Sequence, residues 1–113
     1  MKTQARPIIP AAVRRYFEAI NRRDAEAAAE CFVPDAIVEE QFGDHVGRAA
    51  IAAWVVEIAQ RYEPTAILLG AKQAQTGLVL TVSIAGKFPG SPVQMDFYFR
   101  LQDGKIAGLR IEE

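Results

Sequence analysis

The sequence predicts an α+β fold in which three N-terminal helices pack on a curved, mostly antiparallel sheet. The apolar residues recur at the helical period up to Tyr62 and at the strand period from Thr65 onward. The breaks between segments fall on turn-forming residues, namely Pro34-Asp35, Pro64, Pro89-Gly90-Ser91-Pro92 and Asp103-Gly104. The 113 residues contain no linker or internal repeat, and half of them are hydrophobic, so residues 1–113 are expected to form one domain with its own core.

The first helix is expected to begin near Ile9 with Pro10 in its first turn, where a missing N–H costs nothing. Ile9, Val13, Tyr16, Phe17 and Ile20 fall on one face, and residues 21–23 end it. Asp24 can cap a second, shorter helix that buries Ala25, Ala28, Ala29 and Phe32 and closes at Pro34-Asp35. A short strand over 36–42 and a polar loop over 43–47 follow. A third helix over 48–62 carries Ile51, Trp54, Val55, Ile58 and Tyr62 as its apolar stripe, and Pro64 stops it.

The remaining residues read as a meander of four antiparallel strands. They cover 65–72, 78–85 after a turn at Thr76-Gly77, 93–101 and 105–112. Val93, Met95, Phe97, Phe99 and Leu101 alternate with Gln94, Asp96, Tyr98 and Arg100, so one row faces the helices. Asp103-Gly104 is a hairpin turn. The second face of the sheet is mixed in character and suited to a partner sheet, so a homodimer through that outer face is expected.

Thirteen basic and fourteen acidic residues leave a formal charge of −1, which excludes a general nucleic-acid binder. Arg14, Arg15, Arg22 and Arg23 are expected to form the solvated rim of the first helix. The single cysteine, Cys31, rules out an intrachain disulfide. No apolar run reaches the roughly 20 residues that span a bilayer, and residues 1–7 lack the pattern of a signal peptide. A cytoplasmic protein without membrane contact is expected. No phosphate loop, nucleotide fingerprint, Ser-His-Asp arrangement or metal-ligand spacing is present, so any chemistry is expected to use no cofactor and no metal.

Four stretches carry a family resemblance. The run Arg15-Tyr16-Phe17-Glu18-Ala19-Ile20-Asn21, ending at Asp24, resembles the first helix of ketosteroid isomerases. Residues 32–40 are similar to that family's helix-to-strand turn, and Gly47-Arg48 with Ile51 and Trp54 to its third-helix entry. Phe99-Arg100-Leu101 with Asp103-Gly104-Lys105-Ile106 resembles its final hairpin. The chain therefore resembles the ketosteroid isomerase and nuclear transport factor 2-like superfamily, with its SnoaL-like polyketide cyclases. That resemblance implies a cone-shaped, cystatin-like fold and a pocket for a small hydrophobic ligand or substrate.

Within that pocket the resemblance implies a hydrogen-bonding tyrosine at Tyr16 and a proton-moving carboxylate at Glu40. Glu40 also shares a strand face with Val38 and Phe42, where a carboxylate is costly to bury. Phe17, Val38, Phe42, Trp54, Phe97 and Phe99 are expected to line the pocket, Trp54 serving either as wall or as helix-to-sheet packing. Phe97 falls where the family carries a protonated aspartic acid that helps to stabilise the enolate, and Asp96 lies on the opposite face. Oxyanion stabilisation then has one side-chain donor, which weakens the case for steroid isomerisation itself. His45, the only histidine, is expected to be solvated in its loop.

Three functions are consistent with these residues. The first is a cofactor-free isomerase or cyclase acting on a hydrophobic carbonyl compound. The second is a non-catalytic module of the same fold for ligand binding or dimerisation. The third is a hydrolase or dehydratase that uses Glu40 with His45.

Overall fold

A computed structural model describes residues 8–75 and 77–113. Along the chain these form α1 (Ala11–Arg22), α2 (Ala25–Glu30), β1 (Phe32–Glu40), β2 (Gly43–Val46), α3 (Arg48–Tyr62), β3 (Thr65–Ala74), β4 (Gly77–Ala85), β5 (Val93–Gln102) and β6 (Lys105–Glu112). The three helices cover one face of a six-stranded sheet with strand order β2-β1-β6-β5-β4-β3. Every pairing is antiparallel except β1 with β6, which is parallel.

The helical face predicted for α1 is the buried one, with Val13, Tyr16, Phe17 and Ile20 all inside. The helix begins at Ala11 rather than Ile9. Pro10 stays extended at the cap position, with ψ 148°, and its carbonyl accepts the Val13 and Arg14 N–H groups. The Asp24 carboxylate accepts the Ala27 N–H at 3.1 Å, as the spacing predicts. The predicted bounds of α3 agree with its observed ones.

The sheet departs from the predicted four-strand meander in three respects. Phe32, assigned to the second helix, opens β1, because Cys31 caps α2 and the chain is extended from there. The register of β1 on β6 shifts between Phe32 and Ile37, which absorbs the Pro34-Asp35 kink without ending the strand. Residues 43–46, read as polar loop, form the edge strand β2, held by pairing with β1 from Ile37↔Val46 to Glu40↔Gly43. The helices are thus interrupted by two strands. Of the predicted Thr76-Gly77 turn, Thr76 lies outside the described residues, and Gly77 begins β4.

The rows facing the helices are those the alternation indicates. Leu78, Leu80 and Val82 of β4, Phe97 and Phe99 of β5, Ile106 and Leu109 of β6 and Val38 of β1 are all buried. The outer face carries Thr81, whose hydroxyl donates to Asp96 at 3.2 Å, and Arg110, whose guanidinium lies 4.5 Å over the Tyr98 ring. No helix among the described residues is long and apolar enough to cross a membrane.

Hydrogen bonds that side chains and the backbone make with backbone groups hold the helices over the sheet. The Asn21 amide at the end of α1 donates to the Ala66 carbonyl at 3.1 Å and accepts the Ala66 N–H at 2.8 Å. Arg48 at the start of α3 donates to the Phe32 carbonyl at 2.8 Å. At its other end the Tyr62 carbonyl accepts the Lys87 N–H at 2.7 Å. Gly86 permits that approach, since a Cβ there would lie 2.6 Å from the Tyr62 oxygen.

Replacing Asn21 by Ala strands both polar groups of Ala66, a residue only 5% exposed. Water reaches the Asn21 side, so the expected loss is about 1–2 kcal/mol, read as a lower urea midpoint with an unchanged slope.

Candidate functional site

Between the helices and the inner sheet face lies an open cleft of about 1130 Å³. One end of the helix–sheet interface is closed by aromatic rings. Tyr16 meets Phe17, Phe32 and Phe99 edge-on at centroid distances of 5.1, 5.7 and 6.0 Å, and Phe17 meets Phe97 at 5.3 Å. The wall continues through Ile20 of α1, Trp54, Ile58 and Tyr62 of α3, and Met95 of β5. Charged groups, among them Glu57, Arg61 and Glu112, also border the cleft.

Tyr16 borders the cleft from within the aromatic cluster, although the residue is only 2% exposed. Its hydroxyl has no hydrogen-bond partner among the described residues, and no side-chain polar atom there is both sealed from solvent and unpartnered. Burial pushes the phenol well above its ordinary value of 10.0, with the neighbouring Cys31 adding to the effect. Tyr16 stays a neutral donor across the working range of most proteins.

Glu40 ends β1 on the inward row that also holds Val38. Its side chain is 13% exposed and both oxygens accept a donor, Oε2 from His45 Nε2 at 3.0 Å and Oε1 from the Phe42 N–H at 3.3 Å. The histidine was expected in solvent. It instead sits on β2 opposite Val38, facing inward, because pairing with β1 fixes its side. Its ring stacks on Trp54 at 5.3 Å with 25° between planes. Trp54 is thus both packing and wall.

The remaining expectations divide. Phe17 and Phe97 line the cleft. Val38 and Phe99 are buried in the core behind it and do not reach its surface, since neighbouring rings and strands cover them. Phe42 is not on the inward row. β1 ends at Glu40, and Phe42 stands in the following turn at the lip, 76% exposed. Phe97 pairs with Ile111 and Leu80, which places it inward and Asp96 outward. Residues that the sequence reading did not place in the wall include Ile20, Met95 and Phe88; the first two lie on predicted inward faces, whereas Phe88 arrives on an irregular loop.

Among the described residues no group of three or more His, Cys, Asp and Glu side chains converges as a metal site.

A family profile for the SnoaL-like domain matches residues 13–109. The chain is 35% identical to a proposed polyketide cyclase from Sinorhizobium meliloti, with a TM-score of 0.87 over 92% of this chain and 95% of that one. A hypothetical protein with a ketosteroid isomerase-like fold from Catenulispora acidiphila, solved with trimethylamine, is 17% identical with a TM-score of 0.83 over 94% and 87%. A cystatin-fold protein from Novosphingobium aromaticivorans is 15% identical with a TM-score of 0.76 over 90% and 95%. These last two show the cystatin-like, ketosteroid isomerase-like fold. No curated protein matches the chain.

The raised Tyr16 value carries a sign for stability. Above pH 10 the unfolded chain loses this phenolic proton while the folded chain keeps it, so stability falls as pH rises from there towards the folded value. Urea midpoints measured from pH 8 to 11 are expected to drop more steeply for the native chain than for Tyr16→Phe.

Proposed function

The chain belongs to the SnoaL-like domain family, and we propose that it is an isomerase or cyclase that acts without a cofactor. It moves a proton next to the carbonyl of a small hydrophobic compound. The observation that carries this reading is the shielded Glu40 carboxylate, which shares one cleft with a Tyr16 hydroxyl that has no partner among the described residues.

The carboxylate takes a proton from the carbon beside the carbonyl, and the electron pair moves onto the carbonyl oxygen. The neutral Tyr16 phenol donates a hydrogen bond to that oxygen as its charge grows. Burial supports this role by keeping the phenol protonated. Protonated Glu40 then returns the proton to a more distant carbon, which shifts the double bond. In the cyclising variant the enolate carbon attacks a second carbonyl of the same molecule, the first carbonyl re-forms, and protonated Glu40 gives its proton to the new alkoxide oxygen. The aromatic and aliphatic wall suits a flat, apolar substrate, and the likeness to a proposed polyketide cyclase supports the cyclising form.

A dimerisation module with a filled core would show a cleft below the small end of ligand sites, roughly 300 Å³, and a binding module without catalysis would have Glu40 turned to solvent. The volume of about 1130 Å³ leaves room for a ligand in either reading, and the 13% exposure of the Glu40 side chain favours the catalytic one.

Conversion of a β,γ-unsaturated steroid ketone to its conjugated enone, followed by ultraviolet absorbance, tests the roles. Glu40→Gln is expected to lower turnover by about 10²–10⁴-fold, and Tyr16→Phe by about 10²–10³-fold. Turnover lost in Tyr16→Phe yet retained in Glu40→Gln overturns the assignment.

A further inference from the structure

The proton transfer above leaves the chain's only imidazole without a role. We propose that His45 is the positioning residue of the Glu40 carboxylate, an inference that rests on Glu40 acting as the base.

A glutamate reaches the cleft through three rotatable bonds, and a base that wanders by an ångström loses much of its rate. The Glu40 carboxylate has two restraints. One is the Phe42 N–H, at 3.3 Å, in a turn whose side chain is 76% exposed. The other is His45 Nε2, which is closer, at 3.0 Å. His45 is itself held on two sides. Its backbone sits in the β1–β2 ladder opposite Val38, and its ring lies flat on Trp54, a residue only 7% exposed on α3. The shorter of the two restraints is therefore referenced to a packed helix and to the sheet, and the longer one to the exposed turn.

The chemistry of the pair sets its polarity. An ionised carboxylate only accepts, so Nε2 carries the proton, whatever the charge on the ring. Each carboxylate oxygen accepts one donor here and keeps a second lone-pair site, so the restraint leaves Glu40 free to take a substrate proton. The side chains are 13% and 23% exposed, so the contact is better shielded than a surface ion pair, which contributes little.

Two variants separate the donor from the stack. His45→Phe keeps a ring over Trp54 and removes the N–H, whereas His45→Gln keeps an N–H donor and removes the ring. On the steroid ketone, His45→Phe is expected to lower kcat by about 10–100-fold with little change in KM, and His45→Gln to return most of that loss. A change confined to KM, or equal kcat losses in the two variants, overturns the positioning role.

A second readout needs no turnover. In long-range proton–nitrogen spectra of the ¹⁵N-labelled chain, His45 is expected to be protonated at Nε2, with a resonance that moves in Glu40→Gln. A ring protonated only at Nδ1, or a resonance indifferent to Glu40→Gln, overturns the proposal whether or not the ketone reacts. The expected spectrum together with turnover indifferent to Glu40→Gln identifies the base assignment as the part that fails, and the positioning role falls with it.

Discussion

The edge-on packing of Tyr16 against Phe17, Phe32 and Phe99 is the contact on which the rest of the cleft depends. It joins α1, β1 and β5 at one point, and its ring geometry is one that aromatic pairs favour by about 0.5–1.5 kcal/mol each beyond the area they bury. α1 is thereby fixed over the sheet at its middle, and the Asn21 amide fixes its end to Ala66 of β3. A helix held at two points on a curved sheet can fill only part of the inner face. The remainder is walled by α3, whose own two ends are tied to Phe32 and to the Gly86-Lys87 segment. The cleft is what these attachments leave uncovered.

Much of this was legible in the sequence because it is local. The period of α1 put Tyr16 and Phe17 on the buried face, the alternation along β5 put Phe97 inward and Asp96 outward, and Asp24 announced its own helix. Glu40 could be assigned to the inward row by counting from Val38. The failures are all non-local. β2 has four residues without a β-branched run, and only its pairing with β1 makes it a strand. Reading those residues as loop put His45 in solvent, and extending β1 to residue 42 put Phe42 on a row it does not reach. The parallel pairing of β1 with β6 joins opposite ends of the chain, which no local pattern records. Family membership was legible from four short motifs, whereas the pairing of Glu40 with His45 needed the fold.

Phe97 changes how the two proposed roles share the chemistry. At the position where the resemblance to ketosteroid isomerases places a protonated acid, the chain has a ring stacked on Phe99 and tilted on Phe17. Asp96 cannot substitute, since its register turns it to the outer face, where it accepts the Thr81 hydroxyl. A growing oxyanion therefore meets one side-chain donor. A single such donor contributes about 3–4 kcal/mol. In exchange the ring makes that part of the wall drier, which strengthens whatever hydrogen bond Tyr16 does form.

With one donor at the carbonyl, the proposed reaction leans harder on the placement of the base, and there the glutamate works against itself. Compared with an aspartate at the same position, Glu40 has one more methylene and one more torsion, so it reaches further and stays put less readily. The sheet supplies the correction. Because β2 returns directly beside β1, His45 arrives next to the residue it must restrain, and because α3 follows β2 after a single glycine, Trp54 arrives behind the imidazole. The residue type thus lengthens the base, and the β1–β2 hairpin braces it. A chain with glutamate at this position but without an inward donor on β2 would have the reach and lack the aim.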